Sequence, residues 1–336
     1  MHKVYNTLKN ALKEDYKFIL FIIILYIIFQ YPLNYYITVG GGISDISSRI
    51  KVEDAYESEG SLNISYVTQL PGTILTYGLS YIIPSWEREN ANLYKYNEEE
   101  SIDDIEFRSN LDLTTANGTA TYWAYTMANK EVNLISQKLY VITTFSEYET
   151  PLKVKDEILS IDDNSFSTIN EYKEYLQTKS TETPVKVKII RDKKEQIVEA
   201  NLHEIDKKLF LGVGLQYVKE YKTNPKVKIK FKSSESGPSG GLITTLEMYN
   251  QLTEKDLTKG KKIAGTGTIE EDGTIGEIGG VRHKILGATK DNAEIFLVPS
   301  GNYKEAKKYK EENKLKIKLI EVKNIEDAIE KLESLQ

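Results

Sequence analysis

An uncharged stretch over residues 18–39 limits most strongly what this chain can fold into. Its first part, residues 18–29, is apolar throughout apart from Tyr26. As a helix rising about 1.5 Å per residue, the stretch would reach roughly 30 Å, which is the thickness of a bilayer core. Lysines precede it at positions 3, 9, 13 and 17 and favour a cytoplasmic N-terminus. We therefore expect a cytoplasmic segment at residues 1–17 and an uncleaved transmembrane signal anchor at residues 18–39.

This pattern predicts a single-pass protein of the cell membrane. Its N-terminal helix would contact the lipid bilayer, and everything after about residue 40 would lie outside the cytoplasm. A second uncharged stretch, residues 66–84, is also long enough to cross, but Pro71, Gly72 and several Thr and Ser residues interrupt it. Because polar groups and helix breakers are unfavourable in lipid, we expect only one span.

The composition excludes several classes of function. The net charge of −6 provides no basic surface for nucleic acid. The chain has no cysteine, which excludes disulfides, thiolate zinc sites and cysteine nucleophiles. It has three histidines, His2, His203 and His283, so a Ser-His-Asp triad would have to use one of the last two. We expect no metal ion and no cofactor, and a general base other than histidine.

Residues 44–135 form a mixed α/β segment on the extracytoplasmic side of the predicted anchor. The string "GSLNISYVTQL" alternates like a strand, and residues 109–129 have a helical pattern. The acidic run at residues 98–104 is typical of a solvated loop or face. No catalytic set of residues stands out in this segment.

Residues 138–205 contain strands, the amphipathic helix "TINEYKEYLQT" and a hairpin around Asp192-Lys193. The string "LKVKDEILSIDD", followed by that helix and hairpin, resembles a PDZ domain of the bacterial protease-associated kind. Such a domain implies binding of an extended peptide at a sheet edge. Lys155 stands where a glycine usually precedes the aspartate, and the loop "SEYETP" lacks the apolar-Gly-apolar signature that captures a C-terminal carboxylate. A generic small α+β domain is the alternative.

From residue 206 onward, strand and helix patterns alternate, which predicts an α/β domain. A strand at residues 227–231 precedes a helix ending near Leu252. The strands "KIAGTGTI" and "TIGEI" flank a hairpin signal at Asp272-Gly273, and the helix "VRHKILGATK" follows. The strand "AEIFLVP" and a helix near residues 303–312 complete the pattern.

Ser239 lies in the string "SESGPSGGLITT", between the smallest and the stiffest residues of the chain. One interpretation is an ordinary turn before a helix, where serine is common. The other is a nucleophile, because Gly237 and Gly240 leave room for a substrate backbone and Pro238 stiffens the turn. The following helix start offers N–H groups and a positive dipole end, so we expect backbone amides near residues 237–240 to stabilise an oxyanion.

The helix after Gly279-Gly280 carries the second candidate residue. Val281, Ile285 and Ala288 share one apolar face, and Lys284 lies on that face. Arg282, His283 and Lys290 point elsewhere. A buried lysine loses hydration of its charged form, so its pKa falls and its neutral amine can act as a general base. The alternative is a lysine that extends its ammonium group to water.

Taken in order, "ESGPSGG", "AGTGTI", "DGTIGEIGGVRHK" and "FLVP" resemble the proteolytic domain of Lon proteases, over residues 206–336. The resemblance implies that Ser239 is the nucleophile, that Lys284 is the base and that Thr266 supports the lysine. Gly240 replaces the usual alanine, and Arg282-His283 replace the commoner Lys-Glu on a face expected to be exposed. The whole layout is similar to membrane-anchored Lon-like PDZ proteases of Gram-positive bacteria, and the resemblance also implies a homo-oligomeric, hexameric ring.

The sequence therefore predicts a transmembrane helix followed by α+β and α/β domains, with a PDZ-like module and a Lon-type proteolytic domain. The predicted function is a membrane-anchored serine endopeptidase that cleaves protein or peptide substrates, namely extracytoplasmic or membrane-associated proteins. We expect it to work without ATP, since the chain has no GxxxxGK[ST] phosphate-binding loop. One alternative is a catalytically silent, membrane-anchored peptide-binding scaffold. Another is a signal-peptide hydrolase with the same Ser-Lys pair.

Overall fold

The computed structural model describes residues 15–97, 100–232 and 235–335. The chain divides into two compact units, Met1–Gly40 with Val67–Tyr94, and Gly41–Tyr66 with Lys95–Gln336. Of the predicted cytoplasmic segment, residues 1–14 lie outside the described residues.

The first unit holds the N-terminal helix α1 (Tyr16–Gln30) and most of the strand after it, β1 (Pro32–Asp45). Tyr35, Tyr36, Ile37 and Thr38 of β1 pair antiparallel with β4 (Glu87–Asn90). The short helix α2 (Ile74–Leu79) follows strand β3 (Ser61–Thr73) and begins with a capping box between Thr73 and Thr76.

The predicted transmembrane helix at residues 18–39 is wrong. Helix α1 ends at Gln30 after 15 residues, which corresponds to a length of about 22 Å. Pro32 disfavours helical backbone at Tyr31, whose ψ is 113°, and the β-branched and aromatic residues that follow suit a strand. Within the described parts of the chain, no helix has both the length and the apolar character needed to cross a membrane.

The second unit contains a sheet of four parallel strands in the order β15–β14–β13–β3. Three of these strands come from the C-terminal part of the chain: β13 (Lys262–Gly265), β14 (Ile295–Pro299) and β15 (Lys318–Val322). The fourth, β3, begins at Ser61, before the PDZ-like region. The sheet that carries the predicted protease residues therefore takes strands from both sides of residues 138–205.

Helices cover both faces of this sheet because successive strand residues alternate between them. Ile295 and Leu297 of β14 face one core together with α3 (Ile102–Met127), α5 (Gly241–Leu252) and α8 (Ile325–Glu333). Phe296 and Val298 face the other core, with α6 (Val281–Lys290) and α7 (Ser300–Glu312). The result is a three-layer α/β/α arrangement, as the alternating pattern after residue 206 predicts.

A second sheet forms the PDZ-like part, with the strand order β11–β5–β6–β7–β8 and antiparallel pairing throughout. Its strands are β5 (Glu131–Thr144), β6 (Glu157–Ile161), β7 (Val185–Arg191), β8 (Lys194–Ala200) and β11 (Val213–Asn224). Helix α4 (Ile169–Gln177) packs Tyr172 and Leu176 into this core. The predicted hairpin at Asp192-Lys193 is confirmed, with both residues at positive φ.

Two small ladders complete the second unit. Strand β2 (Ile50–Val52) pairs with β12 (Val227–Ile229), and β9 (His203–Ile205) pairs with β10 (Lys208–Phe210). The predicted strand at residues 227–231 is thus confirmed in its first three residues.

Two local predictions are wrong. The acidic run at residues 98–104 is not all solvated, because Glu100 is buried and paired with Arg108, while residues 98 and 99 lie outside the described chain. The predicted strands on either side of Asp272-Gly273 do not form a ladder, although the turn itself closes with a 2.9 Å bond from the Glu270 N–H to the Thr274 carbonyl. Strand β13 ends at Gly265. The Thr266 N–H still bonds to the Leu297 carbonyl of β14, while the Thr266 hydroxyl and the Gly267 N–H bond to the Ser239 carbonyl.

Helix α3 lies close against β11, and Gly118 allows this approach. A Cβ atom at position 118 would lie 2.6 Å from the Lys219 carbonyl oxygen, which is a backbone atom that cannot move alone.

Gly118→Ala is therefore expected to destabilise the fold by about 1–3 kcal/mol, although alanine favours a helix. Urea unfolding followed by circular dichroism measures this change. The matched control is Gly78→Ala in α2, where nothing lies within 4 Å and no loss is expected. Equal stability of the two variants would contradict the packing argument.

Candidate active site

Ser239 lies in a turn between β12 and α5, two residues before the helix begins. Gly237 has a φ of +82°, a backbone conformation that favours glycine, and its N–H donates to the Ser109 carbonyl of α3 at 3.0 Å. The Ser239 carbonyl accepts from the Gly267 N–H at 2.9 Å. The turn is thus held on both sides of the serine by backbone groups of distant segments.

Gly240 follows the serine at the position where the resemblance implies alanine. A Cβ atom there would lie 2.9 Å from Cδ1 of Ile64, a residue of β3. An alanine at this position would therefore require the end of the Ile64 side chain to shift.

Lys284 lies in the first turn of α6. Gly280 is the N-cap residue just before the helix, where a φ of +69° favours glycine, and its carbonyl accepts from the Lys284 N–H at 3.1 Å. The side chain packs on the sheet side of the helix with Val281, Ile285 and Ala288, as the pattern predicts, and only 4% of the residue is exposed. The alternative of a lysine extending into solvent is excluded.

The structure brings Ser239, Lys284 and Thr266 together at the carboxyl end of β13. The Lys284 Nζ lies 3.0 Å from Ser239 Oγ and 3.0 Å from Thr266 Oγ1. Thr266 is fully buried, and its hydroxyl donates to the Ser239 carbonyl at 3.1 Å. Because that hydroxyl has given its hydrogen to Ser239, it faces the lysine as an acceptor. The three residues form a connected network around one nitrogen atom.

Burial lowers the pKa of Lys284 from its ordinary value of 10.5 to about 8. The cause is desolvation, which disfavours the charged ammonium form. With this pKa about a tenth of the amine is neutral at pH 7 and about half at pH 8, whereas a solvent-exposed lysine is almost entirely charged there. The amine can accept a proton from the hydroxyl it touches.

The positions of Gly237 and Pro238 limit which backbone groups can bind an oxyanion. The Gly237 N–H is already bonded to Ser109, and Pro238 has no N–H. Among the described residues, the N–H groups of Ser239 and Gly240 donate no hydrogen bond, and they lie at the start of α5. These two groups are the available donors, so the expected participation of Gly237 and Pro238 is limited to shaping the turn.

The two histidines in the described chain lie away from this hydroxyl. His203 is in β9, where its Nε2 lies 2.9 Å from the Glu149 carbonyl.

His283 was expected on an exposed face of its helix, but it is buried, so this expectation is wrong. The reason is that α6 is covered on more than one side: a Cβ at Gly287 would lie 2.7 Å from the Gly41 carbonyl, and α7 packs against α6 as well. Arg282 is exposed as expected and pairs with Glu305 at 2.8 Å.

Sequence reasoning missed the upstream residues that contact the serine turn. Arg49, Ser109 and Ile64 all belong to residues 44–135, where no catalytic pattern stands out. Arg49 pairs with Glu235, four residues before the serine. No local motif marks these residues, because their contacts span 128 or more positions in the sequence and depend on the fold.

The PDZ-like part explains one departure from the expected motif and contains an apolar-Gly-apolar string at another position. Lys155 adopts a φ of +79°, the conformation for which glycine is usual, and Asp156 after it is buried with two bonds to Arg191, at 2.7 and 2.6 Å. An apolar-Gly-apolar string is absent from "SEYETP", but Leu211-Gly212-Val213 lies at the start of β11, an edge strand, beside Phe145. This string follows the pair β9–β10, at a position far in the sequence from the loop "SEYETP".

Comparison with known proteins finds a matching family for each of two segments of the chain. Residues 223–334 match the family model of the Lon protease (S16) C-terminal proteolytic domain, and residues 131–202 match that of the PDZ domain. The Lon protease of Desulfatibacillum aliphaticivorans is 32% identical over 97 residues, covering 29% of this chain and 12% of that protein. The Lon protease of Aster yellows witches'-broom phytoplasma is 31% identical over 94 residues, with coverages of 28% and 12%.

A PDZ domain of an SdrC-like protein from Listeria monocytogenes covers 25% of this chain and 92% of its own, at 24% identity and a TM-score of 0.23. A similar domain from Listeria innocua covers 23% and 92%, at 26% identity and a TM-score of 0.22.

The family matches confirm the predicted Lon-type and PDZ domains and identify residues 223–334 as a serine-type peptidase domain. The chain spans only 12% of the length of the Lon proteases it matches. The domain boundaries at residues 44–135, 138–205 and 206–336, and the catalytic roles of the site residues, stay predictions.

The lowered pKa of Lys284 predicts a pH-dependent change in stability. The unfolded chain binds more protons than the folded one between pH 8 and 10.5, so the free energy of unfolding rises with pH across that window. At about 1.4 kcal/mol per pKa unit, burying the charged lysine costs the fold about 3 kcal/mol below pH 8. Replacing the lysine with methionine, Lys284→Met, should remove this slope, as urea unfolding at several pH values would show. Lys290→Met, at an exposed position of the same helix, is the control. Parallel curves for wild type and Lys284→Met would contradict the assignment.

Proposed function

We propose that this chain is a serine endopeptidase that works without ATP, with Ser239 as nucleophile and Lys284 as general base. The observation that carries the proposal is the buried Lys284 Nζ, 3.0 Å from Ser239 Oγ. A lysine that is both desolvated and in contact with a serine hydroxyl is the arrangement that Ser-Lys hydrolases use. The match to a Lon-type proteolytic domain supports the same reaction.

Acylation follows from the geometry. The neutral Lys284 amine takes the Ser239 hydroxyl proton while Oγ attacks the carbonyl carbon of the peptide bond. The N–H groups of Ser239 and Gly240, near the positive end of α5, stabilise the negative charge on the carbonyl oxygen. As the tetrahedral intermediate collapses, the Lys284 ammonium gives its proton to the departing amine, and an ester to Ser239 remains.

Deacylation repeats these steps with water. Lys284, neutral again, takes a proton from a water molecule, and the resulting hydroxide attacks the ester carbonyl. The carbon–oxygen bond to Ser239 breaks, the lysine returns the proton to Oγ, and the product leaves as a carboxylic acid that then ionises.

Thr266 orients the base. A neutral amine has two hydrogens and one lone pair. Because the Thr266 hydroxyl donates to the Ser239 carbonyl, it accepts one amine hydrogen from Lys284, and the lone pair can then point at Ser239 Oγ. Thr266 thus selects the orientation in which Lys284 acts as an acceptor.

The PDZ domain supports binding of extended protein or peptide substrates. Strand β11 is the edge of its sheet, and Leu211-Gly212-Val213 stands at the start of that edge. An extended peptide can add to such an edge through backbone hydrogen bonds. Helix α3 bonds to Gln216 of β11. Val213 at the start of the strand is buried, so Gly214 and Leu215 are the half-buried positions that precede the contact with α3. We propose that substrates bind there before cleavage.

The hexameric ring and the location outside the cytoplasm stay predictions from the sequence. The silent-scaffold alternative predicts peptide binding without turnover, and the assembled Ser239, Lys284 and Thr266 network disfavours it.

Ser239→Ala is expected to lower cleavage of an unstructured protein such as casein by about a thousand-fold or more, because the nucleophile is lost. The folded state should persist, since the half-buried hydroxyl makes no bond to the core other than that with Lys284. Ser236→Ala, an exposed serine in the same turn, is the matched control and should retain activity. Cleavage by the purified Ser239→Ala chain would refute the assignment.

The pH dependence of cleavage tests the base. Since only neutral Lys284 accepts the proton, kcat/KM should rise with pH and level off above a midpoint of about 8. A flat profile between about pH 6 and pH 10 would exclude a lysine base with this pKa.

Addition of ATP and Mg²⁺ should leave the rate of casein cleavage unchanged, because this chain contains no GxxxxGK[ST] loop. A rate that requires ATP would contradict the proposal without affecting the Ser-Lys assignment.

A further inference from the structure

We propose that Arg49 is a positioning residue for the nucleophile, acting through Glu235. This inference rests on the proposed function, since it concerns the placement of Ser239 for attack. Arg49 lies just before β2, and Glu235 lies four residues before the serine. The two residues are 186 positions apart, and they form an ion pair.

The Arg49 guanidinium is fixed at both ends. Its Nη1 donates to a Glu235 carboxylate oxygen, and its Nη2 donates to Ser44 Oγ at 2.8 Å. The Arg49 side chain is only 16% exposed and that of Glu235 only 30%, so water screens the pair less than it would a surface pair. The Arg49 backbone is held as well, because its carbonyl accepts from the Lys230 N–H at 2.9 Å. The donor is thus built into a rigid part of the fold.

Glu235 connects Arg49 to the backbone that leads to the nucleophile. We call residues 235–239 the serine loop. Its second carboxylate oxygen accepts from the Lys232 N–H at 2.9 Å, and its own N–H donates to the Lys232 carbonyl at 3.0 Å. These two bonds join Glu235 to the Lys232 backbone, which lies at the end of the segment that follows β12. The Glu235 side chain therefore joins that backbone to Arg49.

Three contacts then fix the serine loop along its length. The first is the Arg49–Glu235 ion pair at the start of the loop. The second is the bond from the Gly237 N–H to the Ser109 carbonyl. The third is at the Ser239 carbonyl, which accepts from the Gly267 N–H and the Thr266 hydroxyl. The second and third contacts use backbone atoms on at least one side. The first is made by two side chains alone, so substitution can remove it without changing the backbone chemistry.

Loss of the pair should affect the chemical step more than substrate binding. Neither Arg49 nor Glu235 contacts Ser239 Oγ or Lys284 Nζ, so neither takes part in proton transfer. A shift of the loop would lengthen the 3.0 Å separation between Oγ and Nζ. Misplacement of a reacting group by about 1 Å lowers rates by up to about a hundred-fold.

The test is a charge-swap cycle on the full chain, measured as steady-state cleavage of a fluorogenic casein. Arg49→Glu and Glu235→Arg should each lower kcat about ten- to a hundred-fold, with KM changed less than about two-fold. The double variant, R49E with E235R, restores opposite charges and should recover most of the lost kcat. The control is Lys255→Glu, which reverses one charge of the exposed Lys255–Glu333 pair and should leave kcat unchanged.

The outcomes separate this inference from the proposed function. An active wild type with unaffected single variants would overturn the role of Arg49, as would a double variant no better than the single ones. If Arg49→Glu does not fold, Glu235→Gln keeps the side-chain size and removes its charge, and a normal kcat in that variant would also overturn the role. A wild type that neither cleaves casein nor is labelled at Ser239 by a fluorophosphonate would overturn the proposed function itself.

Discussion

Burial of one amine is the constraint on which the rest of this site depends. Lys284 has 4% of its surface exposed, and its hydrogen-bond partners are the hydroxyls of Ser239 and Thr266. A charged lysine is poorly solvated there, so burial shifts the amine toward the neutral form that can act as a base. The close contact of Gly287 with the β1 backbone and the left-handed Gly280 serve the same end, because they let α6 sit deep against the sheet.

The site is assembled from segments on both sides of the PDZ domain. Strand β3 and helix α3 precede that domain, while α5 and α6 follow it, and Ile64 and Ser109 from the upstream part contact the serine turn. Helix α3 also bonds to β11 of the PDZ sheet through Asp112 and Thr115. The peptidase fold therefore includes more of the chain than the residues matched to the Lon-type domain.

Short-range patterns in the sequence predicted the residues that meet in the site. The glycines around Ser239 and the apolar face carrying Lys284 depend on neighbours within a few positions, whereas the role of Thr266 is implied by the resemblance of the ordered motifs to Lon proteases. Other features depend on contacts that local patterns do not record. Helix α1 ends at Gln30 because Pro32 and a β-prone run follow it, whereas uncharged length alone predicted a membrane span. The burial of His283 and the role of Arg49 are set by elements far away in the sequence.

The most direct measurement of the central claim is an NMR titration of Lys284 itself. In a chain labelled with ¹³C at lysine Cε, the Lys284 resonance can be assigned by its loss in Lys284→Arg. The account predicts a titration midpoint of about 8 for this resonance. A midpoint near the ordinary lysine value of 10.5 would show that burial does not shift this amine toward its neutral form, and would contradict its role as the base.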